Sequence, residues 1–314
     1  MSPGFQISEE EARRLIKELG KMGLIYFSFS GGEPLLVPYC FDLLAYAKKC
    51  GILYTHIVSN GYLMDVARAK KLAEAHVSEI SFSLDGDEKV HDQNRGMKGA
   101  FNKVIEVIDH VKTHAPKTEI VLNTILNPIQ PENAIFALNL AKRLGVKIKV
   151  QPINDHPSFG ANEPALKQRR SLQDNEKQRL LETIELIQKS SHAVNSKPFL
   201  ENFKAFMFYP ENLAFASEVC ILGYHHIEIF ANQIFPCLEG LMWKEGFDLS
   251  KSSIKDTINS PLYQNKLKEL KKCPHCRKNY YICYYELRLN FPFTNLIKSR
   301  IKIPKIKPAT KGKG

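Results

Sequence analysis

The sequence predicts an α/β fold built on a parallel sheet, and three observations predict it. Five apolar, β-branched or aromatic runs alternate with helix-period segments through the first half of the chain. Such alternation implies a sheet wound by right-handed crossovers. Hydrophobic residues make up 44% of 314 residues, a globular share with room for one large domain or two medium ones. The first three strand-like runs each stop at a polar, glycine-containing turn, and parallel sheets carry their chemistry at those carboxyl ends.

The elements follow in order. Ser8 with Glu11 three residues later is a capping box, opening a helix that runs to about Leu19. Residues 24–30 (LIYFSFS) form the first strand, with a helix over about 37–50 behind it. Residues 53–59 (LYTHIVS) and 78–84 (SEISFSL) are the second and third strands, separated by a helix near 63–74. A helix over 100–114 leads to a fourth strand at 118–125, and one over 133–144 leads to a fifth at 147–153. Residues 154–164 are turn formers and read as a loop, followed by a polar helix near 172–190. Beyond Pro198 the period becomes irregular and cysteines gather, so a domain change belongs there. The expected division is 1–160 for the sheet core, 161–197 for a linker and helix, 198–290 for a cysteine-rich domain and 291–314 for a basic tail.

Charge and length exclude several classes. Eight of the eleven excess positive charges lie past Glu286, which leaves +3 for the rest. The basic excess is therefore weak evidence that the folded body binds nucleic acid. The longest stretch without Asp, Glu, Lys or Arg is residues 50–64, too short and polar to span a bilayer. The first fourteen residues contain no apolar signal core, so the expected location is cytoplasmic, where cysteines are not read first as disulfides. The tail mixes phenylalanines with lysines, which suits a mobile solvated segment or a membrane-surface contact.

Several strand ends carry chemistry. Gly31, Gly32, Glu33 and Pro34 follow the first strand directly. Paired glycines admit a ligand close to the backbone, Pro34 fixes the next turn, and exposed carbonyls with Glu33 suit an ammonium group. A plain strand-to-helix turn is the competing reading. Ser59-Asn60-Gly61 ends the second strand, and Ser83-Leu84-Asp85-Gly86 the third. Arg95, in the run 91–96 (HDQNRG), suits a carboxylate partner or is a solvated loop charge. Asn123 projects inward if Leu122 and Thr124 face out, and then either contacts a ligand or makes a structural hydrogen bond.

FSFSGGEPLL, IVSNG and ISFSLDG…HDQNRG…GAF, with the cysteine-rich end, together resemble the radical S-adenosylmethionine (radical SAM) superfamily, in its subgroup with a C-terminal SPASM or twitch extension. The resemblance spans about residues 9–283 and implies a partial (β/α) barrel, usually of six units. It further implies S-adenosylmethionine and a [4Fe–4S] cluster at the strand ends. Reductive cleavage there gives a 5′-deoxyadenosyl radical that abstracts hydrogen from a peptide or small-molecule substrate. By resemblance, Gly31, Gly32, Glu33 and Pro34 hold the methionine amino group and Ser83 makes a polar contact. Arg95 holds the methionine carboxylate, while Ser59, Asn60 and Asn123 lie near the ribose or methionine. Gln151 flanks the adenine. No residue is assigned a catalytic role. An electron donor such as a flavodoxin or ferredoxin is the implied partner.

The family's C-x3-C-x2-C loop has no counterpart here. Cys40 and Cys50 stand on a predicted helix and read as small buried hydrophobes. The expectation is an N-terminally truncated form whose triad lies upstream, with loss of the chemistry as the other explanation. The radical cluster is expected only with those upstream cysteines. Cys220 and Cys237 flank an apolar hairpin, expected to turn at Asn232-Gln233, and Cys273 and Cys276 form a C-x2-C knuckle with Cys283 as spare. Spacing alone allows structural zinc or an iron–sulfur cluster. The resemblance implies an auxiliary [4Fe–4S] site. His225 and His226 read as packed or surface histidines. The competing functions are a non-catalytic iron–sulfur protein and a zinc-ribbon module that binds nucleic acid through the tail.

Overall fold

The computed structural model describes residues 7–152, 172–208, 222–224, 226–237 and 246–271. Its core is a five-stranded parallel sheet in the order β1-β2-β3-β4-β5, comprising β1 (Tyr26–Phe29), β2 (Tyr54–Ser59), β3 (Glu79–Ser83), β4 (Glu119–Leu126) and β5 (Lys147–Pro152). The chain enters through α1 (Glu9–Lys21), and the strands are joined through α2 (Cys40–Lys49), α3 (Val66–Glu74), α4 (Glu88–Arg95), α5 (Ala100–His114) and α6 (Glu132–Leu144). Sequential strand order with parallel pairing is the (β/α) arrangement expected from the alternation.

Every strand sorts its residues by parity. Ile57, Ile80, Phe82, Leu122, Ile148 and Val150 are buried and pack with the helices in one large cluster. The residues between them turn to the opposite face. The polar ones there read Tyr26 and Ser28 on β1, Tyr54 and His56 on β2, Glu79, Ser81 and Ser83 on β3, Glu119 and Asn123 on β4, and Lys147, Lys149 and Gln151 on β5. The helices thus seal one side, and the other is left to polar chemistry.

Three local expectations need correction. Ser8 does accept from the Glu11 amide at 3.2 Å, but the Glu11 carboxylate turns to Arg14 at 2.6 Å instead of closing the box. The run 91–96 is helical, as the end of α4. Asp87 caps its start by accepting from Val90 N, and Gly96 closes it at φ 63°. The hairpin turns at Ala231 and Asn232, with φ of 46° and 61°, one residue before the expected position, and such a pair of positive φ values is the twist-matched reversal.

Past the sheet lie α7 (Asp174–Gln188) and α8 (Lys197–Phe208), then a small antiparallel sheet of β6 (Glu228–Phe230), β7 (Gln233–Phe235) and β8 (Phe247–Asp248), then α9 (Ile254–Asn259) and α10 (Pro261–Lys271). Helix α1 joins this unit to the main sheet. Its Leu15 and Leu19 pack with Ile234, Leu249, Tyr263 and Leu267. Arg14 donates to the Leu249 carbonyl at 2.8 Å, and the Ile254 amide donates to Glu18 at 2.7 Å. On its other flank α1 meets α2 so closely that a side chain at Gly20 would collide with the Cys50 carbonyl. Cys40 is buried in the core and Cys50 half-buried beside it, the packing role expected of both.

Candidate functional site at the strand ends

The carboxyl ends of β1 and β2 are tied by one carboxylate. Glu33 lies just past β1 and accepts from Ser59 Oγ at 2.8 Å, from the Asn60 amide at 2.8 Å and from the Leu35 amide at 3.1 Å. Ser59 is spent twice, since its hydroxyl also accepts from the Gly61 amide. The glycine pair ahead of Glu33 is open. Gly31 has φ 147°, and added side chains at Gly31 or Gly32 would meet no atom within 4 Å. A residue with a side chain would therefore strain Gly31 and fill the space at this strand end.

At the end of β3 the polar run is self-locking. Arg95 grips Asp85 through two nitrogens, at 2.7 and 2.8 Å. The buried His91 accepts from the Asp85 amide through Nδ1 at 3.2 Å, and the same nitrogen lies 3.4 Å from the Asp85 carboxylate. Burial alone would raise the Asp85 carboxyl, but His91 and Arg95 outweigh it and hold the group below its ordinary range. Asp92 caps α5 from outside, accepting from the Gly99 and Phe101 amides. The guanidinium of Arg95 thus holds the chain's own carboxylate, with its remaining donors left over.

Deeper on the polar face lies a network that sequence reasoning missed. His56 Nδ1 meets Tyr26 Oη at 2.7 Å and Ser28 Oγ at 3.0 Å. Its Nε2 meets Ser81 Oγ at 2.9 Å and Glu79 at 3.2 Å. A carboxylate only accepts, so Nε2 carries the proton. Tyr54 Oη donates to the other Glu79 oxygen at 2.8 Å. Burial, helped by Lys149, pushes His56 down to about 3, so the imidazole is neutral. The signal was available: polar residues recur at every second position of three adjacent strands.

The layer nearest the mouth is different. Asn60 follows directly on Ser59, the last paired residue of β2, whose register partner is Phe82, so Asn60 stands level with Ser83. Ser83 pairs in register with Asn123, and Asn123 with Lys149. Gln151 lies one step further out, level with Ile125. The Asn60 side chain accepts from the Tyr62 amide at 2.9 Å. The Asn123 Oδ1 atom is buried with no hydrogen-bond partner. Among the described residues, Asn123 therefore brings its unspent carbonyl to the same row as Ser83, Asn60 and the Glu33 carboxylate. Cys237, buried after β7, is the one expected metal ligand that falls within the described residues. Cys220, Cys273, Cys276, Cys283 and His225 lie outside them, as do the loop 154–164 and the basic tail. Among the described residues no group of three or more His, Cys, Asp or Glu could hold a metal ion, and no helix is long and apolar enough to cross a membrane.

Residues 1–141 match the radical SAM superfamily. The Fe-coproporphyrin III synthase of Methanosarcina barkeri is 35% identical over 133 residues, 42% of this chain and 33% of that protein. A PqqA peptide cyclase of Granulibacter bethesdensis is 28% identical over 143 residues, 45% of this chain and 37% of that protein. The match thus spans about a third of the length of these curated relatives. Among solved structures, anSMEcpe with bound AdoMet aligns over 93% of this chain and 90% of that one, with TM-score 0.61 and 17% identity. SuiB of Streptococcus suis bound to S-adenosylmethionine aligns over 92% and 66%, with TM-score 0.60 and 19% identity. At these identities the likeness is one of fold.

Proposed function

We propose, from the match of residues 1–141 to the radical SAM superfamily, that the strand ends of the five-stranded sheet bind S-adenosylmethionine. One contrast carries the reading. The floor of the polar face is knitted together around His56, while the Asn123 carbonyl in the layer above it is buried and unspent. Unpaired buried polar atoms are rare in folded proteins, and a ligand is one reason to keep one. The methionine amino group goes to the open backbone at Gly31, Gly32, Glu33 and Pro34, and the nucleoside to Ser83, Asn123 and Gln151. Arg95 and Ser59 act mainly by positioning Asp85 and Glu33. Equilibrium dialysis with S-adenosylmethionine tests this: Asn123→Leu should weaken binding severalfold while the protein stays folded. Unchanged binding in that variant contradicts the assignment.

The superfamily supplies a reductively generated radical through a cluster held by three thiolates. The 314 residues contain no C-x3-C-x2-C run, and Cys40 and Cys50 stand at the two ends of α2, packed against the core. The residues present do not fit that cluster, so hydrogen abstraction by this protein needs ligands from outside them. With such ligands the activity is that of a radical SAM enzyme on a peptide or small molecule, with a flavodoxin or ferredoxin as electron donor. A peptide is favoured by the fold shared with anSMEcpe, solved with a bound peptide. For the C-terminal cysteines we keep the auxiliary [4Fe–4S] reading. Anaerobically purified protein should be coloured and carry iron; a colourless protein with stoichiometric zinc rejects it.

A further inference from the structure

Lys149 is the residue of the polar face that the proposed function leaves unused. It stands on β5, in register with Asn123 of β4, and is half-buried. Its neighbour Lys147 donates to the Ser191 carbonyl at 2.9 Å. No hydrogen bond or ion pair is recorded for Lys149 among the described residues. Of the acids of the face, Glu119 stands at the far end of β4, level with Glu79, and feels Lys147. Glu79 is held by Tyr54, Ser81 and His56, and Asp85 by Arg95. His56 is close enough to feel the Lys149 charge and stays neutral. A half-buried ammonium without a counter-charge is costly unless an anion completes it. Its register neighbour Asn123 is the residue that the proposed function gives to the cofactor.

We propose that Lys149 forms a substrate subsite for a carboxylate, the chemistry of an acidic residue in a peptide. The carboxylate pairs with the Lys149 ammonium, next to the cofactor end at Asn123. The inference rests on the cofactor reading for one step, which is distance. β5 is four strands from β1, about 19 Å along the sheet at about 4.8 Å per strand. The amino and carboxylate groups of one methionine are neighbours. A cofactor whose amine lies at Gly31 to Pro34 cannot also bring its carboxylate to β5, so the anion at Lys149 belongs to a second molecule. Ile125, next to Gln151 in register, is exposed and adds apolar surface suited to a peptide.

The test reads Lys149 directly. The full chain is labelled with limiting acetic anhydride, and peptide mass spectrometry follows Lys149 against Lys147. N-acetyl-glutamate amide or its neutral analogue N-acetyl-glutamine amide is titrated in at constant ionic strength. The acidic compound should slow acetylation of Lys149 severalfold and leave Lys147 unchanged, and the neutral one should do neither. Asn123→Asp, which supplies a carboxylate in cis, should abolish the protection. Equal effects of the two compounds, or no effect of either, overturn the proposal. So does protection by S-adenosylhomocysteine alone to the same extent, since that gives Lys149 to the cofactor. Glutamate-specific protection in a protein that fails to bind S-adenosylhomocysteine supports the subsite and counts against the cofactor reading alone.

Discussion

Glu33 and His56 show how single residues on this sheet divide between holding the fold and meeting a ligand. Glu33 gathers three donors from two strand ends, so Glu33→Ala leaves a hydroxyl and two amides without their acceptor. Urea unfolding should show a loss of about 1–3 kcal/mol; an unchanged midpoint would mean that water replaces the carboxylate at no cost. His56 gives a pH signature. Its folded value is depressed to about 3 from an ordinary 6.5, so between these values the unfolded chain binds the extra proton. Stability from this group is complete above about pH 6.5 and drains away as pH falls toward 3. His56→Gln should flatten that part of the curve, measured as urea midpoint against pH. Asp85 acts in the same direction further into acid, because its carboxyl is also lowered in the fold. At this scale the sequence was legible where glycine and proline mark a turn, as at 31–34. It was silent on which polar groups are already spent. Arg95 looked free for a ligand carboxylate, yet half of its fork grips Asp85, ten residues back.

Among the elements, α1 does more than the sequence disclosed. Its apolar face serves two bodies: Leu15 and Leu19 toward the small antiparallel sheet, Ile16 toward Leu43 and Ile52. Leu15→Ala, at a site 3% exposed, should cost about 2–5 kcal/mol by calorimetry or denaturant. It should also raise hydrogen exchange in β7 and α10 ahead of the parallel sheet. Uniform loss of protection across both sheets would contradict a junction role. The five strands and their order were legible because apolar parity and caps agree along the first half. Helix α4 was not, since only His91 of its eight residues is buried and no apolar period marks it. Its caps, Asp87 and Gly96, were the available signal. The hairpin slipped by one residue because Asn232 was taken as the first turn residue when it is the second.

For the whole molecule, the helices close one face of the sheet and leave the other polar. Alternation alone foretold a parallel sheet with its chemistry at one edge, and the motif set pointed to the superfamily that residues 1–141 match. The register was not readable from sequence. It is register that brings Ser83, Asn123 and Lys149 into one row and separates that row from the closed layer around His56. The central claim, that this mouth binds S-adenosylmethionine at the β1 end, is tested most directly by calorimetric titration of the full chain against Gly31→Ala. Added at φ 147° into open space, the methyl strains one residue but disturbs no packing. The account predicts saturable binding near one per chain for the wild type, weakened at least about tenfold in the variant, with the Tm shifted by no more than about 4 °C. Absence of binding to the wild-type chain, or equal binding by the two proteins, would contradict it.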